Sequence, residues 1–151
     1  CTLGVAEAQE YRVGYVDADR ILTESAPAKA VEKKLENDFS KRLKDLRDTQ
    51  ARLKSLSEKL DKDLPVLSES QRLKRQRELT DLSQDFQRKQ RAYREDLMQR
   101  KNEEYSKVVD RAKKEIEKIA KSENYDLIVN ESVYHSPRAD LTEKVLKALS
   151  N

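Results

Sequence analysis

Phe39, Leu46, Leu53 and Leu60 stand seven residues apart, with Leu35, Leu43 and Leu64 at the intervening spacing. A seven-residue apolar repeat draws one stripe along a helix, and that stripe needs a partner helix to cover it. Pro65 ends the stripe, because proline lacks an amide donor and collides with the preceding turn. A first helix is therefore expected from about Ser25-Ala26-Pro27 to Leu64. Ser68 with Gln71 three residues on is a capping-box pattern that starts a second helix. This helix carries Leu79, Leu82, Phe86, Tyr93 and Leu97, slips in phase, and continues with Tyr105, Val109, Ala112, Ile116 and Ile119. A turn near residues 64–68 makes the two helices antiparallel neighbours, a hairpin arm over residues 27–122. The second helix outlasts the first by several turns, so residues of about 105–122 should pack on whatever the chain ends form.

Those ends read differently. Val13, Tyr15 and Val16 form a β-prone run, and Leu127, Ile128 and Val129 a buried-strand run more than a hundred residues later. Val133-Tyr134 suggests another short strand, and Thr142 is positioned to cap a last helix, "EKVLKALSN". The fold class is thus α+β but mostly α: a small β-rich body from residues 9–26 and 123–151 with a long coiled-coil arm inserted in it. Fewer than about 50 residues rarely make a self-sufficient core without disulfides or metal. The body is therefore expected to be completed by sister copies, an obligate oligomer with several arms on one centre.

Charge follows the same division. Residues 28–122 hold 27 Lys/Arg and 19 Asp/Glu, for +8, whereas the remaining 5 Lys/Arg and 10 Asp/Glu give −5. Residues 71–101 alone carry ten basic and five acidic side chains. A basic arm surface of Arg72, Lys74, Arg75, Arg77, Arg88, Lys89, Arg91 and Arg94 is the candidate binding face for acidic segments. Gln50, Ser57 and Lys89 interrupt the apolar stripes, which would let the arm bend or splay. A basic helix could also meet nucleic acid, but no aromatic platform or recognition motif accompanies it. A structural spacer or tether of the cell envelope is the other reading open to a coiled coil.

Catalytic chemistry is not written into the chain. His135 is the only histidine, no cluster has metal-ligand spacing, and Gly4 and Gly14 cannot make a phosphate loop. Glu103 and Glu104 are adjacent on a helix and point apart. An enzyme is not expected, nor is any cofactor. Ala6-Glu7-Ala8 has the small-x-small form of a signal-peptidase site, so residues 1–8 read as a signal-peptide remnant and the protein as exported. Cys1 would then be removed; a lipid-modified Cys1 is the competing reading. No apolar run is long enough to span a bilayer as a helix.

"RVGYVDADRILTES", the charged hairpin, "YDLIVNESVYHS" and "DLTEKVLKAL" together resemble the OmpH/Skp family of periplasmic chaperones. The resemblance runs from Tyr11 to the C-terminus. It implies a jellyfish-like homotrimer, its body formed around Val13, Tyr15, Val16, Leu127, Ile128 and Val129. It further implies a periplasmic holdase that encloses unfolded outer-membrane proteins between its arms without ATP. The family's proposed contact with lipopolysaccharide or an anionic membrane surface would fall here on Lys89, Arg100 and Arg111. Gln99 stands where that pattern would place a further basic residue.

Overall fold

The computed structural model describes residues 10–151. The expected signal-peptide remnant, its cleavage after Ala8 and Cys1 lie outside the described residues. The order is β1 (Val13–Tyr15), α1 (Ala18–Glu24), α2 (Ala26–Asp63), α3 (Glu69–Ser122), β2 (Leu127–Val129) and α4 (Thr142–Leu149). Short 3-10 turns at Leu64–Val66 and Pro137–Ala139 complete it. The chain divides into two compact units. One reaches from the described N-terminal residues to Glu32 and resumes over Glu103–Asn151; the other is Lys33–Asn102.

In the unit made from the chain ends, β1 and β2 pair in parallel, with Val13 opposite Leu127, Gly14 opposite Ile128 and Tyr15 opposite Val129. The other edge of β1 is taken at Asp140, which bridges to Tyr15. Val133 and Tyr134 are not the strand expected there: neither lies in a strand, Asp140 takes the place beside Tyr15, and both side chains are solvent-exposed. Leu127 was expected to be buried and is instead 54% exposed, because it lies on the uncovered face of a two-stranded sheet. The core is helical. Val16, Ile21, Ala112, Leu141, Val145 and Leu149 form one buried cluster, flanked by Ile116, Ile119, Tyr125, Ile128 and Leu146. Full burial of a Val or Leu side chain stabilises by about 1.5–3 kcal/mol.

Local chemistry sets each boundary. Asp17 caps α1 by accepting from the Arg20 amide at 3.0 Å. Ser25 separates α1 from α2 and accepts from the Ala28 amide at 3.3 Å, with Pro27 in the first turn. Asn124 ends α3 in the left-handed region at φ 55°, a conformation its short polar side chain tolerates. The Tyr125 amide then bonds back to the Ala120 carbonyl at 2.9 Å. Gly14 is required by close packing, since a Cβ there would stand 2.7 Å from Leu141 Cδ1 and 3.2 Å from the Tyr125 ring. Gly14→Ala should therefore cost about 1–3 kcal/mol in chemical denaturation, as overpacking does.

The second unit is an antiparallel pair of helical segments from α2 and α3. Phe39 meets Tyr93 edge to face at 5.8 Å, Arg42 holds Asp96 at 2.8 Å, and Asp63 holds Arg75 at 2.7 Å beside the turn. From Phe39–Tyr93 to Asp63–Arg75 the numbers rise along α2 and fall along α3. The capping box forms reciprocally: the Ser68 amide donates to Gln71 Oε1 at 3.1 Å and the Gln71 amide to Ser68 Oγ at 3.2 Å.

Leu35, Phe39, Leu43, Leu46, Leu53 and Leu60 are buried or half-buried as the leucine count expects, but the second row of the seam runs in a different phase. Arg42, Thr49, Leu56 and Asp63 are half-buried three residues after Phe39, Leu46, Leu53 and Leu60, a regular three–four alternation. Gln50 is exposed and leaves the seam to Thr49; Lys89 is exposed and leaves it to Gln90. Ser57 is half-buried, as a seam residue should be, and Leu64 is 39% exposed in the turn. The seam is polar at Ser57 as expected, and otherwise at Arg42, Thr49, Asp63 and Gln90.

Candidate client-binding surface

The basic side chains singled out on α3 lie within the hairpin unit. Arg72, Lys74, Arg77, Arg88, Lys89, Arg91 and Arg94 are exposed; Arg75 is half-buried. Three of them have partners. Arg75 is committed to Asp63, while Arg88 and Lys89 share Asp85 at 2.5 Å and 2.8 Å. Asp85 is held below the usual carboxylate range chiefly by its hydrogen bond to Lys89, with Arg88 adding to it. Exposed ion pairs of this kind contribute about 0–1 kcal/mol, so a charged partner could exchange for them at little cost.

Lys89, Arg100 and Arg111 do not fall in one unit. The first two belong to the hairpin and Arg111 to the unit of the chain ends. There the Arg111 guanidinium donates to the Asn151 carbonyl at 2.9 Å and approaches that of Leu149 at 3.5 Å. It fastens the last turn of α4.

The six residues assigned to the body are brought together by the β1–β2 pairing, continued by the Val16 amide donating to the Val129 carbonyl at 2.9 Å. An open apolar cavity of about 390 Å³ adjoins them, lined by Val16, Ile21, Val109, Ala112, Ile116 and Ile128. In the same unit Tyr11, Val13, Leu127, Val133 and Tyr134 are large apolar side chains left exposed.

His135 takes a structural place. Its ring stacks on Tyr15 at 3.8 Å, and Ser132 Oγ lies 3.1 Å from Nδ1. The nearest Asp140 oxygen is 3.8 Å from Nε2, beyond hydrogen-bond reach. The other Asp140 oxygen accepts from the Thr142 amide and hydroxyl at 2.9 Å and 2.6 Å. Ser132, His135 and Asp140 thus tie a loop to the sheet and do not make a nucleophile–base pair. Thr142 is not the cap of α4; it is the first helical residue, Leu141 holds the cap position, and Asp140 accepts from the Thr142 amide.

Glu104 and Val108 are buried on α3 and were missed in the sequence. Lys107 pairs with Glu104 at 3.1 Å, a three-residue spacing that is visible in the sequence. Among the described residues, no group of three or more His, Cys, Asp or Glu side chains could hold a metal ion. No helix there is long and apolar enough to cross a membrane.

Comparison with known proteins gives a consistent result. The model of the family described as outer membrane protein (OmpH-like) matches residues 12–149. Chaperone protein Skp of Yersinia enterocolitica is 28% identical over 144 residues, covering 94% of this chain and 88% of the relative. That of Photorhabdus laumondii is 29% identical over 157 residues, covering 97% and 95%. A solved structure from Caulobacter crescentus, described as an OmpH-like outer membrane chaperone, superposes with a TM-score of 0.76. It is 16% identical and covers 99% of this chain and 89% of that one, a likeness of fold.

Proposed function

The chain belongs to the OmpH-like outer membrane protein family, and on that footing we propose that it is a chaperone of unfolded outer-membrane proteins. It is a holding protein and not an enzyme. It works in the periplasm without ATP or cofactor, as a homotrimer whose basic arms enclose the client and keep it from aggregating. The observation that carries this reading is the family match over residues 12–149, with seven exposed basic side chains along α3 in the hairpin unit. The exposed apolar residues of the chain-end unit support assembly with sister copies.

The mechanism follows from weak, repeated contacts. An unfolded barrel chain offers scattered apolar side chains and carboxylates. A positively charged surface raises its local concentration at long range, and many exchangeable contacts then hold it without selecting one sequence. A separate lipopolysaccharide site is not part of this reading, because Arg111 belongs to a different unit from Lys89 and Arg100 and donates to the C-terminal carbonyl.

Turbidity after rapid dilution of a urea-unfolded outer-membrane β-barrel protein tests the proposal. The chain should suppress aggregation at low salt. Raising ionic strength from about 0.1 M to about 1 M shortens the screening length from about 10 Å to about 3 Å. Suppression should weaken several-fold over that range for an acidic client. A rigid spacer of the cell envelope would leave aggregation unchanged at every salt concentration.

A further inference from the structure

Two clefts flank the Phe39–Tyr93 pair in the hairpin unit. The smaller, about 240 Å³, contains Arg42, whose guanidinium lies 5.6 Å and 5.8 Å from the two ring centres and is pinned by Asp96. The larger, about 480 Å³, lies among Leu35, Phe39, Leu43, Tyr93 and Leu97. No cation lies over the rings in this second cleft. Ser40 also lines it, a small exposed residue whose neighbours three and four positions away on α2 are Glu36, Asn37, Leu43 and Lys44. Its hydroxyl bonds back to the Asn37 carbonyl at 3.1 Å and so makes no demand on the cleft.

The charges bordering the cleft are unequal. Lys44 and Asp48 neutralise each other at 2.6 Å. Arg47 is exposed and has no ion-pair partner among the described residues. Glu36, the remaining charge, lies eleven residues from Arg47, about three helical turns along α2.

We propose that the larger cleft is an anchor for an aromatic side chain of an unfolded outer-membrane β-barrel chain, with a carboxylate beside that ring reaching Arg47. The inference rests on the chaperone reading and names the client feature it grips. Two rings 80° apart present an edge and a face, the arrangement in which a third ring packs well. Outer-membrane barrels carry girdles of aromatic residues at both membrane interfaces, and these are unburied while the chain is unfolded. Arg47 prefers acidic flanks to basic ones, and its end of the cleft sets the direction of the segment.

The test compares the full chain with Ser40→Trp, which fills the cleft from its border. Affinity is measured for a urea-unfolded eight-stranded barrel protein and for a version with its aromatic residues replaced by leucine. Ser40→Trp should weaken binding of the aromatic client about five- to tenfold, the worth of one aromatic contact. The leucine client should bind the native chain and the variant alike. Equal affinity of both chains for the aromatic client would overturn the proposal, as would undiminished binding of the leucine client by the native chain. If circular dichroism shows that Ser40→Trp loses helix, Arg47→Glu carries the test, since Arg47 is exposed at the border of the cleft. It should weaken the aromatic client two- to threefold at low salt, and no change would overturn the proposal. A native chain that held neither client would remove the chaperone reading itself, and this inference with it.

Discussion

Leu149→Ala should cost about 2–5 kcal/mol and loosen the whole chain-end unit. Leu149 is 1% exposed and closes the cluster of Val16, Ile21, Ala112, Leu141 and Val145 from the last turn of α4. That unit is small, and α4 is eight residues long, too short to be stable without its packed face. Truncation removes three carbons from a closed core and leaves a cavity that a short helix fills only by shifting. Chemical denaturation followed by tyrosine fluorescence reads the loss. Met98→Ala is the contrast: Met98 is 66% exposed, and its removal should stay within about 0.5 kcal/mol.

Thr142→Val should cost about 1–3 kcal/mol, although it keeps the shape of the side chain. The Thr142 hydroxyl is buried, accepts from the Asp17 amide at 2.9 Å and donates to Asp140 at 2.6 Å. It couples the cap of α1 to the start of α4. Valine leaves the Asp17 amide without its acceptor in a place where water does not replace it. The substitution also has a pH signature. Burial pushes the Asp140 carboxyl upward, but its two Thr142 hydrogen bonds, with His135 and Arg20 adding, hold it below the usual carboxylate range. A carboxyl with a lowered folded value contributes stability above its unfolded value, about 3.9, and loses it as the pH falls through the lowered one. The native chain should therefore shed this contribution in acid. Thr142→Val, with one bond fewer to Asp140, should shed less, so the stability gap between the two narrows below about pH 4. A gap that stayed constant from pH 7 to pH 3 would remove Thr142 from the titration of Asp140.

The hairpin was legible because its signals are local. Pro65 and the Ser68–Gln71 box act within one turn, and the structure places a 3-10 turn and the start of α3 there. The pairing of β1 with β2 was legible as two apolar runs needing partners. What stayed hidden depends on neighbours distant in sequence. Thr142 looks like a cap until Leu141 is seen to hold that position and Asp140 to accept from the Thr142 amide, which frees the threonine hydroxyl to receive Asp17. Val133-Tyr134 looks like a strand until Asp140 takes the place beside Tyr15. The seam was misphased for another reason. Counting leucines found the half-buried Leu43 but put Leu64 where Asp63 lies and overlooked Arg42, since long polar side chains can lie along a seam with their charged ends paired outside it. Arg42 and Asp63 do so, through Asp96 and Arg75. The larger cleft beside Phe39 could not be read from the sequence, since it arises where Ser40 faces a ring pair built from both helices.

The proposed function depends on sister copies closing the chain-end unit so that their basic hairpins share a client. Native mass measurement at low micromolar concentration tests this most directly, first on the chain alone and then after dilution of a urea-unfolded barrel protein into it. The account predicts three copies of the 17.6 kDa chain, and then one soluble species containing those three and the client. A folded monomer that leaves the client to aggregate would contradict it.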